Sequence, residues 1–215
     1  MKTNFTLAGC SALTIACTLI SSVASAEERQ GPYFGGDLGA SLVDDTDLRE
    51  FPGAGSGNDV EFDTGVRLGL YGGWKFNEWF RAGGEFGLIA NNIKGTDGAL
   101  YQYPFMAVVE FRLPNRSPIV PFIGGGPGFC TSIISIDDDN IGDGDFVDGS
   151  GSDAVFAWQA YAGLRYKIDE NISVGVVYKY FEADSSSWEV HDTSQDIRFG
   201  RIRTHAISAS FSMGF

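Results

Sequence analysis

The chain has 215 residues, with 28 Asp+Glu against 15 Lys+Arg and a formal net charge of −13. That balance opposes nucleic-acid binding and describes a solvated acidic surface. Beyond the first 26 residues no stretch is long and apolar enough for a membrane helix, so a membrane protein of this sequence would have to be a closed β-barrel.

Residues 1–26 read as an export signal. Lys2 is the only charge before Glu27, Leu7 to Ile20 is an apolar run short for a bilayer span, and Ala24-Ser25-Ala26 is a small-residue cleavage site. An uncleaved N-terminal anchor fits those flanks less well. Leu7-Ala8-Gly9-Cys10 has the look of a lipoprotein box but lies too near Met1 to follow a full apolar segment. The expected mature domain is 27–215. Cys130 is its single cysteine, so it has no intrachain disulfide.

Eight segments then alternate apolar and polar residues between turn signals. The first, about Tyr33–Val43, sets Phe34, Leu38, Ala40 and Leu42 against Asp37 and Ser41. The second, about Val60–Lys75, sets Val66, Leu68, Leu70 and Trp74 against Arg67 and Tyr71. The third, Trp79–Asn91, opposes Phe80, Phe86 and Leu88 to Arg81 and Glu85. The fourth, Leu100–Leu113, opposes Tyr101, Phe105, Val109 and Phe111 to Gln102, Met106, Glu110 and Arg112. The fifth, Ile119–Ile136, is blurred by Pro121, Pro127 and Gly124-Gly125-Gly126. An interior proline loses a ladder bond, so a bulge or kink is expected near Pro104 and Pro127. The sixth, Asp153–Ile168, places Phe156, Trp158, Leu164 and Tyr166 opposite Gln159, Tyr161, Arg165 and Lys167. The seventh, Ile172–Ala183, places Val174, Val176, Tyr178 and Tyr180 opposite Ser173, Gly175 and Lys179. The eighth, Arg203–Phe215, alternates Ile207, Ala209, Phe211, Met213 and Phe215 with Ser208, Ser210, Ser212 and Gly214.

The connections alternate too. Lys75–Glu78, Pro114–Ser117 and Asp169–Asn171 are tight, whereas Asp44–Asp59, Asn91–Ala99, Asp137–Ser152 and Asp184–Gly200 are long and polar. Together these features predict an all-β fold: a transmembrane antiparallel up-and-down barrel of eight strands, with short periplasmic turns and four long extracellular loops. Outward aromatics fall near both sets of connections, as two interfacial belts separated by aliphatic and small residues.

The pattern resembles the small OmpA-like and opacity-protein-like family of outer-membrane barrels. Gly31-Pro32-Tyr33-Phe34-Gly35-Gly36, Pro121-Phe122-Ile123-Gly124-Gly125-Gly126 and the terminal Phe215 carry the resemblance across the mature chain. Pro127 departs from the pattern and leaves the register of the fifth strand open. The resemblance implies residence in the bacterial outer membrane, contact with its lipid and lipopolysaccharide, and handling by periplasmic chaperones and the barrel-assembly machinery. It also implies that Phe211, Met213 and Phe215 form the carboxy-terminal assembly signal. A monomer is expected, with no cofactor and no nucleic-acid partner.

The inward charges are the main candidate site. If the long loop 44–59 is spanned symmetrically and the first tight turn centres near Phe76, Asp37 faces Arg67 and Arg67 faces Glu85. A symmetric second loop pairs Arg81 with Glu110. An eight-stranded barrel is just wide enough to be filled by side chains, so these groups read as ion pairs plugging the interior. A gated narrow pore is the alternative, since such clusters also line ion paths.

Asp137, Asp139, Asp143, Asp145 and Asp148 suggest a divalent-cation loop, but Ile141 breaks the ligand spacing and no helices flank it. A solvated acidic loop is the simpler reading. A lipid A-modifying enzyme is a second alternative. His205 and Ser208, however, are three apart on a strand and face opposite sides, and His191 with Ser185–Ser187 lies in a loop. Arg198, Arg201 and Arg203 read either as an interfacial anchor or as contacts to lipopolysaccharide phosphates. The expectation is therefore a non-enzymatic surface protein.

Overall fold

The computed structural model describes residues 30–44, 46–50, 59–60, 62–94, 98–113, 115–135, 154–185, 187–189 and 196–215. Those residues form β1 (Gly31–Val43), β2 (Thr46–Glu50), β3 (Asp59–Val60), β4 (Gly65–Lys75), β5 (Phe80–Asn92), β6 (Ala99–Arg112), β7 (Ile119–Ser135), β8 (Val155–Lys167), β9 (Ile172–Ala183), β10 (Ser187–Glu189), β11 (Asp196–Phe199) and β12 (Ile202–Gly214). The export-signal reading of 1–26 falls outside the described residues.

Eight strands close into one barrel in the order β1-β12-β9-β8-β7-β6-β5-β4, all antiparallel. Closure comes from β12 pairing with β1 from Tyr33↔Gly214 to Val43↔Thr204. Cross-strand partners can be followed once around: Gly31, Lys75, Arg81, Glu110, Gly124, Tyr161, Lys179, Ala206 and back to Ser41. The circuit returns ten residues along β1, a stagger that tilts eight strands by roughly 40° and leaves an interior that side chains can fill.

Alternation does the sorting. Leu38, Val176 and Ile207 are 58%, 57% and 63% exposed on the outer face, whereas Arg67, Gln102 and Thr204 are fully buried inside. In water this arrangement would be inside out. In lipid it satisfies the backbone by closure and gives the apolar face its solvent.

Three tight turns, each built on an Asx side chain, close one end. Asn77 Oδ1 accepts from the amides of Trp79 and Phe80, Asn115 Oδ1 from that of Ser117, and Asp169 Oδ1 from those of Asn171 and Ile172. At the other end, short strands are described within the first and last long connections. β10, β11, β2 and β3 pair in that order as a four-stranded sheet joining the first and last long connections.

Two expectations are corrected. The fifth predicted strand is continuous: β7 keeps one register with β8 from Ile119↔Tyr166 to Cys130↔Val155. Neither proline produces a bulge. Pairing of β6 with β7 runs Met106↔Gly128, skips two residues, and resumes at Val109↔Gly125 in the same register. The β5–β6 ladder likewise skips between Phe86↔Phe105 and Ile89↔Gln102, beside Pro104. Each proline thus turns its missing N–H toward one neighbour and interrupts that ladder locally. Space is available beside Pro104 because Gly87 faces it, where a Cβ would come within 2.9 Å of the ring.

The belts also differ from expectation. Phe76, Trp79, Phe80 and Phe111 cluster at the tight-turn end, with Phe80 and Phe111 ring centroids 5.3 Å apart. Trp158 and Tyr180 meet at 5.1 Å toward the other end. Between them stands a further row across three strands, Phe86–Phe105 at 4.7 Å and Phe105–Phe129 at 5.3 Å.

A closed lumen as the candidate functional site

Strand parity sends Asp37, Arg67, Glu85, Gln159 and Lys179 inward from five different strands. They form one network. Arg67 donates to Glu85 Oε1 at 2.8 Å and to Gln159 Oε1 at 3.2 Å. Lys179 Nζ donates to Asp37 Oδ2 and to Glu85 Oε1, both at 2.6 Å, and Gln159 donates to Glu85 Oε2 at 3.1 Å. Arg67 Nε stands 4.0 Å from Asp37 Oδ1, an ion pair without a hydrogen bond.

The registers behind these contacts are not the symmetric ones. Asp37 lies opposite Gly69, and Arg67 opposite Gly39 and Ile89. Arg67 reaches its carboxylates diagonally, along the tilt, over two residues to Asp37 and four to Glu85. Gly69 makes the approach possible, since a Cβ there would lie 2.7 Å from Asp37 Oδ2.

A second network lies nearer the tight-turn mouth. Arg81 and Glu110 are ladder partners, and Arg81 donates to Glu110 Oε2 at 2.6 Å. Arg165 holds the same carboxylate, at 2.8 Å to Oε1 and 3.4 Å to Oε2. Arg81 also donates to Ser212 Oγ at 3.2 Å and lies over the Tyr33 ring at 4.3 Å, and Arg165 lies over Phe122 at 4.2 Å.

The rest of the lumen is filled. Ile89, Met106, Val108, Phe122, Cys130 and Phe181 are among one apolar cluster. Val43, Leu100 and Ile202, with Phe62 against them, form another toward the long connections. Ser41 donates to Asn91 Oδ1 at 2.9 Å, and Asn91 donates to the Asp63 carbonyl at 2.9 Å. Cavities at the two networks measure about 20 Å³ and about 40 Å³, against about 810 Å³ for a groove on the outer apolar face. A water needs roughly 10–15 Å³, so the smaller lumen cavity holds about one water and the larger about three.

Sequence reasoning placed Lys179, Arg165 and Gln159 inward without joining them to the site. Their partners lie across the lumen, 142 residues away in sequence for Lys179 and Asp37. The available signal for Lys179 and Arg165 was charge parity, since an inward carboxylate needs a cation and these positions supplied one; the neutral Gln159 carried no such signal.

Asp137, Asp139, Asp143, Asp145 and Asp148 lie outside the described residues. His205 faces out, with Nδ1 2.6 Å from the Tyr178 hydroxyl and Nε2 3.4 Å from Asp44 Oδ1, whereas Ser208 is buried inside. The two stand on opposite faces, so they make no nucleophile–base pair. Arg203 and Arg201 pair outside with Glu182 at 3.3 Å and 3.6 Å, and Arg201 also with Asp184 at 3.4 Å. Phe211, Met213 and Phe215 share the outer face of the closing strand, which the Phe215 amide secures to the Pro32 carbonyl at 3.0 Å.

The family described as "Outer membrane protein beta-barrel domain" matches residues 10–215. The crystal structure of Neisserial surface protein A is similar at 17% identity and TM-score 0.55, covering 87% of this chain and 100% of its own. The outer membrane protein OprG from Pseudomonas aeruginosa is similar at 14% identity and TM-score 0.54, covering 86% and 97%. The outer membrane protein AlkL, solved in lipid bilayers, is similar at 14% identity and TM-score 0.56, covering 90% and 95%. These likenesses establish the fold. No curated protein matches the chain.

Proposed function

The chain belongs to the outer membrane protein β-barrel domain family, and from that premise we propose that it is a small outer-membrane surface protein. Its barrel is a closed scaffold and its long connections are displayed outside the cell. The filled lumen carries this reading: two ion-pair networks and two apolar clusters occupy the interior. Strand parity supports the orientation. An even strand count puts both termini on the tight-turn, periplasmic side, so the β10-β11-β2-β3 sheet stands outside. An export signal over 1–26 and insertion by the assembly machinery as a monomer complete the proposal.

The outward arginines fit an interfacial anchor better than a phosphate cradle, because Glu182 and Asp184 already neutralise Arg201 and Arg203. Specific recognition is assigned to the displayed loops, where side chains vary without cost to the barrel. The test is single-channel recording of the refolded protein in planar bilayers, together with protease treatment of intact cells. Absence of conductance with cleavage inside the long connections is the expected result. Stable ohmic steps would replace the closed scaffold with the gated pore.

A further inference from the structure

The lumen carries a charge opposite to that of the chain. Against a net charge of −13 overall, the buried charged side chains among the described residues comprise six Lys and Arg and three Asp and Glu. The first network is balanced, with Arg67 and Lys179 against Asp37 and Glu85. The second is not. Arg81 and Arg165 share the single carboxylate of Glu110, and all three side chains are at most 7% exposed.

A surplus positive charge in a narrow, lipid-clad interior is costly unless something compensates it. Arg81 and Arg165 also each leave a buried Nε–H without a hydrogen-bond partner. Both line a cavity of about 40 Å³ that opens among the turn residues Asp169 and Glu170 and also includes Ser173 and Ser212. Nearby acids do not fill the role. Asp169 Oδ1 is taken by two turn amides, and among the described residues the ion pairs within 4.0 Å of Arg81 and Arg165 are those with Glu110. Lys75 and Arg112 face the same mouth and add to its positive field while keeping partners of their own, Arg112 donating to the Asn77 carbonyl at 3.0 Å.

We propose that this tight-turn mouth of the lumen is a binding site for one small oxyanion of the phosphate class, held between Arg81 and Arg165. Two guanidinium groups beside serine hydroxyls suit the planar, multidentate contacts that oxyanions make. A volume equivalent to about three waters admits one such ion and excludes a polymer segment. The site faces away from lipid, so the ion comes from the aqueous phase on the periplasmic side. The proposal is independent of whether the loops bind a partner or the lumen conducts.

The experiment titrates inorganic phosphate into the full, refolded barrel in detergent micelles by calorimetry, with chloride adjusted to hold ionic strength constant. In parallel, the urea midpoint is followed over the same phosphate series. A saturable heat at one equivalent, with a midpoint that rises with phosphate, is expected for the natural chain. Phosphate also stabilises folded proteins by exclusion from their surfaces, so the decisive comparison is Arg165→Gln. This variant removes the surplus charge but leaves Arg81 paired with Glu110, and it should lose the saturable heat and most of the midpoint shift. Absence of saturable heat in the natural chain overturns the proposal whether or not the variant folds. Equal responses in the natural chain and Arg165→Gln would overturn it as well.

Discussion

Asp37 shows how much one side chain in the lumen depends on another. Its hydrogen bond comes from Lys179 at 2.6 Å, and its Oδ1 has no hydrogen-bond partner among the described residues. Glu85 is better supplied, with Arg67, Lys179 and Gln159 all donating to it. The two cations should therefore fail differently. Lys179→Met strands Asp37 and removes a donor from Glu85, and should lower stability by roughly 3–5 kcal/mol, the usual cost of breaking a buried pair. Arg67→Ala leaves Lys179 in contact with both carboxylates and should cost less, about 1.5–3 kcal/mol for hydrogen bonds to a charged group. Urea midpoints of the two variants give the order, and a larger loss in Arg67→Ala would show that the Lys179 bridge is not what holds Asp37. Arg81 and Glu110 could be set opposite each other from loop symmetry alone, because the connection between their strands is spanned symmetrically, from Asn92↔Ala99 to Arg81↔Glu110. Arg67 could not, because its contacts run diagonally and depend on the barrel tilt.

At the scale of the element, β6, β7 and β12 carry the informative departures. Pro127 interrupts the β6–β7 ladder but leaves its register intact, so replacing it with a strand former restores a donor with no rearrangement. Pro127→Val is expected to raise stability by about 0.5–1.5 kcal/mol, the net worth of one hydrogen bond. A fall in the urea midpoint would mean that the proline ring itself is needed on the outer face. For β12 the proposed role lies in assembly more than in stability. Phe215 is 62% exposed on the outer face. Deleting it should leave refolding into detergent near normal while unfolded protein collects in the periplasm of cells, since the closing strand is where backbone pairing by the assembly machinery would begin. Protease treatment of intact cells distinguishes this from a plain interfacial aromatic, which would reach the surface at normal levels.

Taken whole, the molecule has a backbone whose hydrogen bonds return on themselves, with no free sheet edge in the barrel. The folded form is expected to resist SDS at room temperature and to change its gel mobility after boiling. Identical mobility with and without heating, together with extraction from membranes by carbonate, would contradict a lipid-embedded barrel. The four-stranded sheet over the long-connection end is a property of this scale only. β2 and β11 are about 150 residues apart in the chain and meet because the barrel brings its first and last strands side by side.

Strand number, the two faces of each strand and the unequal ends of the barrel were determined by the sequence, because a period of two and the spacing of turn residues are local properties. Phe105 and Glu110 face opposite ways in the structure for the same reason they alternate in the chain. What only the tertiary structure decided is stagger and everything that follows from it. The ten-residue offset around the barrel is a sum over eight pairings, so no single segment encodes it. That offset brings Arg67 to Glu85, carries Lys179 across the lumen to Asp37, and leaves Arg81 and Arg165 sharing one carboxylate. Long charged side chains meet by height in the lumen, and height is a global coordinate of the closed barrel.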